Sequence, residues 1–331
     1  MKQAFTIIGD GAMGTLCAII LAQGGHPVRV WGRRPEHIEE LRSKRENTAY
    51  LPGIRLPQEI IFTADAQEAL QKSKLVICAI PTQHIRSVLE TMRQYFADQT
   101  PVVSVAKGIE NHTLLRPTQI IQQLLGSRTV AAISGPTIAM ELARGLPATV
   151  VAASADNALI KQVQNLFTTR YLRVYANTDL AGVELAGAMK NIIAIAAGIL
   201  DGIKAGTNAK ASLLTRGLVE ISRLGLAMGA RAETFGGLAG LGDLVTTCFA
   251  PEGRNRGFGQ LVGRGLTPTA AAAKTAGVVE GVPTTRSVVE LSERYKVEMP
   301  ISRALYEVLF EGKSPQEAIS NLMNREPKHE G

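Results

Sequence analysis

The sequence predicts an α/β N-terminal domain built on a largely parallel sheet, followed by an all-helical C-terminal domain, with residues 1–178 in the first and 179–331 in the second. Two observations predict it. Up to about Asn177, short apolar runs alternate with amphipathic stretches; beyond it, long periodic segments are separated by glycine-rich turns, and no stretch reads as a strand. Strands that alternate with helices imply βαβ units and therefore a parallel sheet. A chain of 331 residues is also long enough to bury a substantial core and to divide into two domains.

The elements follow in order. "AFTIIG" reads as a buried strand, "AMGTLCAIILAQGG" as a helix and "PVRVW" as a second strand. Further strands are "EIIFT", "LVICAI", "PVVSVA", "VAAIS" and "ATVVAA", with "TQHIRSVLETMRQYF" and "NALIKQVQNLF" as amphipathic helices among them. From "DLAGVELAGAMKNIIAIAAGIL" onward the pattern is helical, punctuated by "FGGLAGLGD", "EGRNRGFG" and "VGRGLTP". The closing "NREPKHEG" reads as a solvated tail.

Composition narrows the class of function. A hydrophobic content of 45% and a charged content of 20% are those of a soluble globular chain. No apolar run reads as long and clean enough to span a membrane, and Met1 to Asp10 lacks the form of a signal peptide. Cys17, Cys78 and Cys248 stand alone in their segments, so they read as buried thiols in a reducing compartment, with no metal site. The net charge of +7 points to anionic partners. Lysine and arginine are dispersed and aromatics make up only 5%, which argues against nucleic acid and for small phosphorylated ligands.

Gly9, Gly11 and Gly14 in "GDGAMG" form GxGxxG directly after the first strand and at the start of the first helix. In that context the first glycine permits a tight turn, the second lets the backbone approach a pyrophosphate, and the third allows close helix–strand packing. The helix N-terminus adds free N–H groups and the positive end of its dipole. The first domain is therefore expected to be a Rossmann-type dinucleotide-binding domain. The second strand ends "VRVWGRR", so Gly32, Arg33 and Arg34 occupy the corner where an acid would hold a ribose 2′-hydroxyl. Two arginines there suit a 2′-phosphate better than surface solvation alone explains them.

Other polar residues fall at strand ends and glycine turns. Lys107 lies just beyond "PVVSV", and Gly135 and Thr137 lie just beyond "VAAIS", at the carboxyl edge where open α/β sheets bind ligands. In the helical half, "GLGDLVTTC" carries Asp243, and "EGRNRGFG" carries Arg254 and Asn255, a pair able to fork onto a phosphate. Lys190 is the one positive charge in "GVELAGAMKNIIAIAAG". On a helix its neighbours one turn away are Ala186, Gly187, Ile193 and Ala194, and Glu184 and Asp201 lie beyond single-turn reach. The spacing fits a lysine that snorkels from a core helix, and equally a desolvated lysine held for chemistry beside small residues that leave room for a ligand.

Taken in order, "GDGAMGT", "YLPGIRLP", "AKGIE", "SGPT", "ARGLPATVV", "GVELAGAMKNIIAIAAGI", "TRGL", "GLAGLGDLVTTC", "GRNRGFG", "VVEGVPTT" and "VEMPI" closely resemble NAD(P)-dependent sn-glycerol-3-phosphate dehydrogenases of the bacterial type, over nearly the whole chain. The resemblance implies NAD(P)H-dependent, reversible reduction of dihydroxyacetone phosphate to sn-glycerol 3-phosphate, with NADP(H) and NAD(H) as cofactors. It also implies a cytoplasmic homodimer that feeds phospholipid synthesis. Matched motif by motif, Lys190 would be the general acid/base, a role that burial and neighbouring cations would tune. Lys107, Gly135, Thr137, Asn191, Asp243, Thr247, Gly253, Arg254 and Asn255 would meet the substrate. Gly9, Gly11, Ala12, Met13, Gly14, Arg33, Arg34, Lys107, Ala139, Arg254, Val278 and Glu280 would meet the dinucleotide. Met13 stands where many members have an aromatic, Gly253 where serine is common and Lys204 where glycine is frequent. Two rivals remain at this point: a related hydroxyacid or ketopantoate-type dehydrogenase, and a non-catalytic dinucleotide sensor. Arg254 and Asn255 argue against the first; Lys190, Lys107 and Asp243 together argue against the second.

Overall fold

The computed structural model describes residues 4–326 and 329. The chain divides into two units: 1–107 with 115–184, and 108–114 with 185–331.

Among its described residues the first unit carries ten strands. They are β1 (Ala4–Ile8), β2 (Val28–Trp31), β3 (Glu46–Asn47), β4 (Leu51–Arg55), β5 (Ile60–Thr63), β6 (Ser73–Cys78), β7 (Val102–Ser104), β8 (Val130–Ser134), β9 (Ala148–Ala153) and β10 (Leu172–Asn177). Eight of them form one sheet in the order β10-β9-β8-β7-β6-β1-β2-β5, and β3 pairs with β4 in a small antiparallel hairpin. Every neighbouring pair in the large sheet runs parallel except β8 with β9. The chain leaves β1 for β2 on one side and returns to β6 on the other, so the strand order reverses at β1. The carboxyl ends of the strands at such a reversal form the crevice that binds ligands in open α/β sheets. Ile7, Ile8, Val30, Leu75 and Ile77 are fully buried, as strands covered on both faces require.

All seven sequence-predicted strands are present, and two features lie beyond the reading. β10 is an edge strand whose side chains alternate between buried and exposed, so it lacks the continuous apolar run that marked its neighbours. β3 and β4 are too short to show a period.

The second unit is helical, with no strand among its described residues. Its axis is the helix Leu180–Gly202, which begins in the first unit; the division falls after Glu184, six residues beyond the sequence-predicted boundary of 178. Glu184 explains the offset, because its carboxylate accepts from Thr118 N at 2.8 Å and Thr118 Oγ1 at 2.6 Å and pairs with Arg116. Residues 108–114 go with the second unit because Ile109 and Leu114 are buried in its core, and Ser287 Oγ lies 3.1 Å from the Ile109 carbonyl.

By length and composition Leu180–Gly202 is apolar enough to cross a membrane, contrary to the expectation that no run would be. Its apolar character is that of a core helix, since 89% of its most apolar window is buried. The small residues on it pack helices closely. A Cβ at Gly198 would lie 2.0 Å from the Arg256 carbonyl oxygen, and one at Gly259 would lie 2.1 Å from that of Ile195. Glycines on both partners therefore let Leu180–Gly202 and the helix Arg254–Gly263 approach backbone to backbone, which fixes the side chains at their facing positions.

Candidate active site

In the first unit the glycine turn does what its spacing predicts. Gly9 has φ +120°, and a Cβ there would lie 2.5 Å from the Ala79 carbonyl oxygen. A Cβ at Gly14 would lie 2.0 Å from the Gly9 carbonyl oxygen, so the helix Ala12–Gln23 could not start where it does. Gly11 differs: an added Cβ meets no atom within 4 Å, so nothing in the protein's own packing demands a glycine there. Close approach of a pyrophosphate supplies that demand, and the residues fit a dinucleotide on this count. Ala12 and Met13 follow as the first residues of the helix.

Asn47, which sequence reasoning missed, holds the turn. It is fully buried and donates from Nδ2 to the Asp10 carbonyl at 2.9 Å and to Thr15 Oγ1 at 2.7 Å. The signal was a lone asparagine just before "YLPGIRLP", with no local pattern to separate it from a turn residue. Arg33 and Arg34 are exposed at the end of β2, and Arg34 donates to the Tyr50 hydroxyl at 3.1 Å. The sequence offers no acid at this corner from β2. The structure brings one from β1: a Cβ on Gly32 would lie 2.4 Å from Asp10 Oδ2, so the Asp10 carboxylate rests on Gly32.

At the carboxyl ends of β7 and β8 the structure brings Lys107, Gly135 and Thr137 together. Lys107 Nζ donates to the Gly135 carbonyl at 3.0 Å and to Thr137 Oγ1 at 3.3 Å. Ala139 opens the five-residue helix that follows.

In the second unit Lys190 is 6% exposed and Asp243 1%. Lys190 Nζ donates to Asp243 Oδ1 and to Thr247 Oγ1, and the Thr247 hydroxyl donates to the Asp243 carbonyl at 2.7 Å. Asp243 opens the helix Asp243–Phe249 directly after a π-helical turn, Leu238–Gly242. Gly240 makes that turn possible, because a Cβ there would lie 2.0 Å from the Phe235 carbonyl oxygen. Two sequence expectations change here. Lys190 pairs with the carboxylate of Asp243, a partner that the sequence reading did not place beside it. The small residues around Lys190 are core packing: Ala186 and Ala194 are fully buried.

Asn191, one residue on, accepts at Oδ1 from Asn255 Nδ2 at 3.0 Å, and Asn255 Oδ1 accepts from Gly281 N at 3.0 Å. The Asn255 side chain therefore ties three helices together and has its acceptor engaged within the protein. Arg254, by contrast, is exposed beside Gly277 and has no hydrogen-bond partner among the described residues. Gly253 caps the same helix, and Val278 and Glu280 lie just before the helix Gly281–Tyr295. A separate cluster joins Asp201 to Lys210 Nζ at 2.9 Å and to Arg256 Nε at 2.7 Å. Burial pushes the Asp201 carboxyl up, but the hydrogen bonds and charges of Lys210 and Arg256 outweigh it and hold the group below its usual range.

Comparison with known proteins bears on both units. Residues 4–160 match the family described as NAD-dependent glycerol-3-phosphate dehydrogenase N-terminus, and residues 179–320 match the corresponding C-terminus. The chain is 44% identical to a glycerol-3-phosphate dehydrogenase [NAD(P)+] of Citrifermentans bemidjiense over 334 aligned positions, covering 100% of both. It is 44% identical to one of Bacillus cereus, over 98% of this chain and 96% of the other. A crystal structure of glycerol-3-phosphate dehydrogenase from Coxiella burnetii superposes with a TM-score of 0.95 at 35% identity, covering 98% of this chain and 99% of that one.

Proposed function

The chain belongs to the NAD-dependent glycerol-3-phosphate dehydrogenase family, and from that premise we propose that it catalyses the reversible, NAD(P)H-dependent reduction of dihydroxyacetone phosphate to sn-glycerol 3-phosphate. The observation that carries the residue-level reading is the buried Lys190 ammonium held by Asp243 and Thr247. When bound, the nicotinamide supplies the hydride. Reduction of a carbonyl leaves an alkoxide that needs a proton, and Lys190 holds one in a largely buried site. Asp243 offsets the cost of burying that charge, and the two hydrogen bonds fix the direction in which Nζ points. In the reverse direction the lysine, having given up its proton, accepts one from the alcohol.

The substrate's phosphate needs cations and N–H donors. Arg254 supplies an exposed guanidinium with no protein partner, while Asn255 and Asn191 hold the start of its helix in place. Within the first unit, Lys107 presents an ammonium at the sheet edge, directed by Gly135 and Thr137. Gly9, Gly11, Ala12, Met13, Gly14, Arg33, Arg34 and Ala139 take the dinucleotide in the first unit, and for Val278 and Glu280 in the second unit the motif match alone supports a cofactor role. On this reading the enzyme acts in the cytoplasm as a homodimer and feeds phospholipid synthesis.

Purified protein with dihydroxyacetone phosphate and NADH or NADPH tests the proposal through the loss of nicotinamide absorbance. The expected result is substrate-dependent oxidation of both cofactors, with little from unphosphorylated dihydroxyacetone. Faster oxidation with ketopantoate or another oxo acid would overturn it.

A further inference from the structure

Asp10 stands between the first two glycines of the phosphate-binding turn, and its backbone carbonyl is pinned by Asn47 at 2.9 Å. Its side chain turns toward the end of β2 and rests on Gly32. Oδ2 is buried and has no hydrogen-bond partner, and its one ion-pairing neighbour among the described residues is His37 Nε2 at 3.9 Å. The His37 side chain is only 6% exposed, and its Nε2 also lacks a hydrogen-bond partner. Glu40 Oε2 faces the other ring nitrogen at 3.6 Å, and the Tyr50 ring packs edge-on against the imidazole. Asp10 nevertheless keeps 18% of its side chain exposed, and that exposure belongs to atoms other than Oδ2. One oxygen is sunk between Gly32 and His37 while the rest of the group stays partly exposed. Buried acceptors are rarely left unused, because each forfeits a hydrogen bond made in water.

We propose that Asp10 is a specificity-determining residue of the dinucleotide site, its carboxylate accepting a hydrogen bond from the free 2′-hydroxyl of NAD(H) and opposing the 2′-phosphate of NADP(H). The proposal rests on the reading of the first unit as a dinucleotide site. In other sheets of this kind the acid comes from the end of the second strand; here the residue that follows β2 is Gly32, and its lack of a side chain lets Asp10, from the turn after β1, occupy the same corner. An ionised carboxylate is an acceptor only, so it matches a hydroxyl and repels a phosphate that has nothing to donate. Arg33 and Arg34 pull the other way. The corner thus holds opposed charges from two strands, and the two cofactors are admitted by their balance rather than by the arginines alone.

Dissociation constants for NADH and NADPH, measured by nicotinamide fluorescence on the full chain, test this with wild type, Asp10→Asn and Asp10→Ala. Asp10→Asn keeps the shape and removes the charge, and the affinity ratio should move toward NADPH by about five- to thirtyfold. A ratio that stays where it is, with both affinities equal to wild type or weakened in parallel, overturns the assignment. A second measurement needs no variant: wild type should bind the 2′-deoxyadenosine analogue of NADH about tenfold more weakly than NADH itself. Equal binding of the analogue overturns the proposal too. Wild type that binds neither NADH nor NADPH would remove the dinucleotide reading beneath it; binding of both with an unmoved ratio removes only the role of Asp10.

Discussion

Lys190 and Asp243 lie 53 residues apart and form an ion pair in which both side chains are almost wholly buried. Removing one member of such a pair strands a charge and costs roughly 3–5 kcal/mol, whereas replacing both with apolar groups of similar size is often neutral. Lys190→Met should therefore lower the melting temperature and abolish turnover, with cofactor affinity in the first unit kept. The double variant Lys190→Met/Asp243→Leu should recover most of the stability and none of the turnover. Recovery of activity in the double variant would show that Lys190 only packs.

Asp243→Asn separates charge from shape. Thr247 still accepts from Lys190, but the countercharge is gone, so turnover should fall by roughly 10²–10⁴-fold. Steady-state kinetics with dihydroxyacetone phosphate check this, and a variant that keeps more than about a tenth of wild-type turnover would deny the Asp243 charge a part in turnover.

How much of this was legible in the sequence depends on how local each signal is. The buried strands announced themselves because side chains covered on both faces give continuous apolar runs, and the glycine turn because three glycines stand at fixed offsets within six residues, two of them required by close backbone contacts. The partner of Lys190 was invisible at its own position, since Asp243 arrives from a different helix after a π-helical turn that no short pattern announces. The small residues on Leu180–Gly202 were legible as small, but whether they made room for a ligand or for a neighbouring helix is a question of tertiary packing. The acid at the ribose corner escaped because the reading followed β2 alone, and Asp10 reaches that corner from β1. Asn47 escaped for the same reason: its partners lie 37 and 32 residues back.

Arg254 is an exposed guanidinium of the second unit with no side-chain hydrogen bond to give up among the described residues. A charge-assisted hydrogen bond to phosphate is worth about 1.5–3 kcal/mol, so Arg254→Ala should raise KM for dihydroxyacetone phosphate roughly ten- to hundredfold. Unphosphorylated dihydroxyacetone, already a poor substrate, should lose far less. Equal losses for both compounds would show that Arg254 does not read phosphate.

Arg33 and salt form a separate test. A contact between an exposed arginine and a 2′-phosphate is screened, so any advantage of NADPH over NADH should shrink as ionic strength rises. Arg33→Asp should favour NADH, because it adds a second acid to the corner that Asp10 already occupies. Fluorescence titration of both cofactors at low and high salt reads this directly, and an unmoved ratio in Arg33→Asp would leave Arg33 as a solvated surface residue.

Glu220 gives the clearest dependence on pH. It lies on the helix Thr207–Ala227, is 3% exposed, and accepts from Ile301 N at 2.6 Å and from Ser302 N at 3.2 Å, at the start of the helix Pro300–Phe310. Burial pushes its carboxyl from 4.5 up to about 7, against the pull of the hydrogen bonds from Ile301 and Ser302. Between those two values the folded chain binds more protons at Glu220 than the unfolded chain does, so this residue's contribution to stability falls as pH rises through the window and levels off above it. Glu220→Gln cannot titrate and should remove that part of the slope, whatever its absolute stability. The measurement is the difference in melting temperature between wild type and Glu220→Gln at about pH 5 and about pH 8. Wild type should lose ground against the variant on going to the higher pH. If it gains instead, the hydrogen bonds at the helix start outweigh burial and Glu220 is held ionised in the fold.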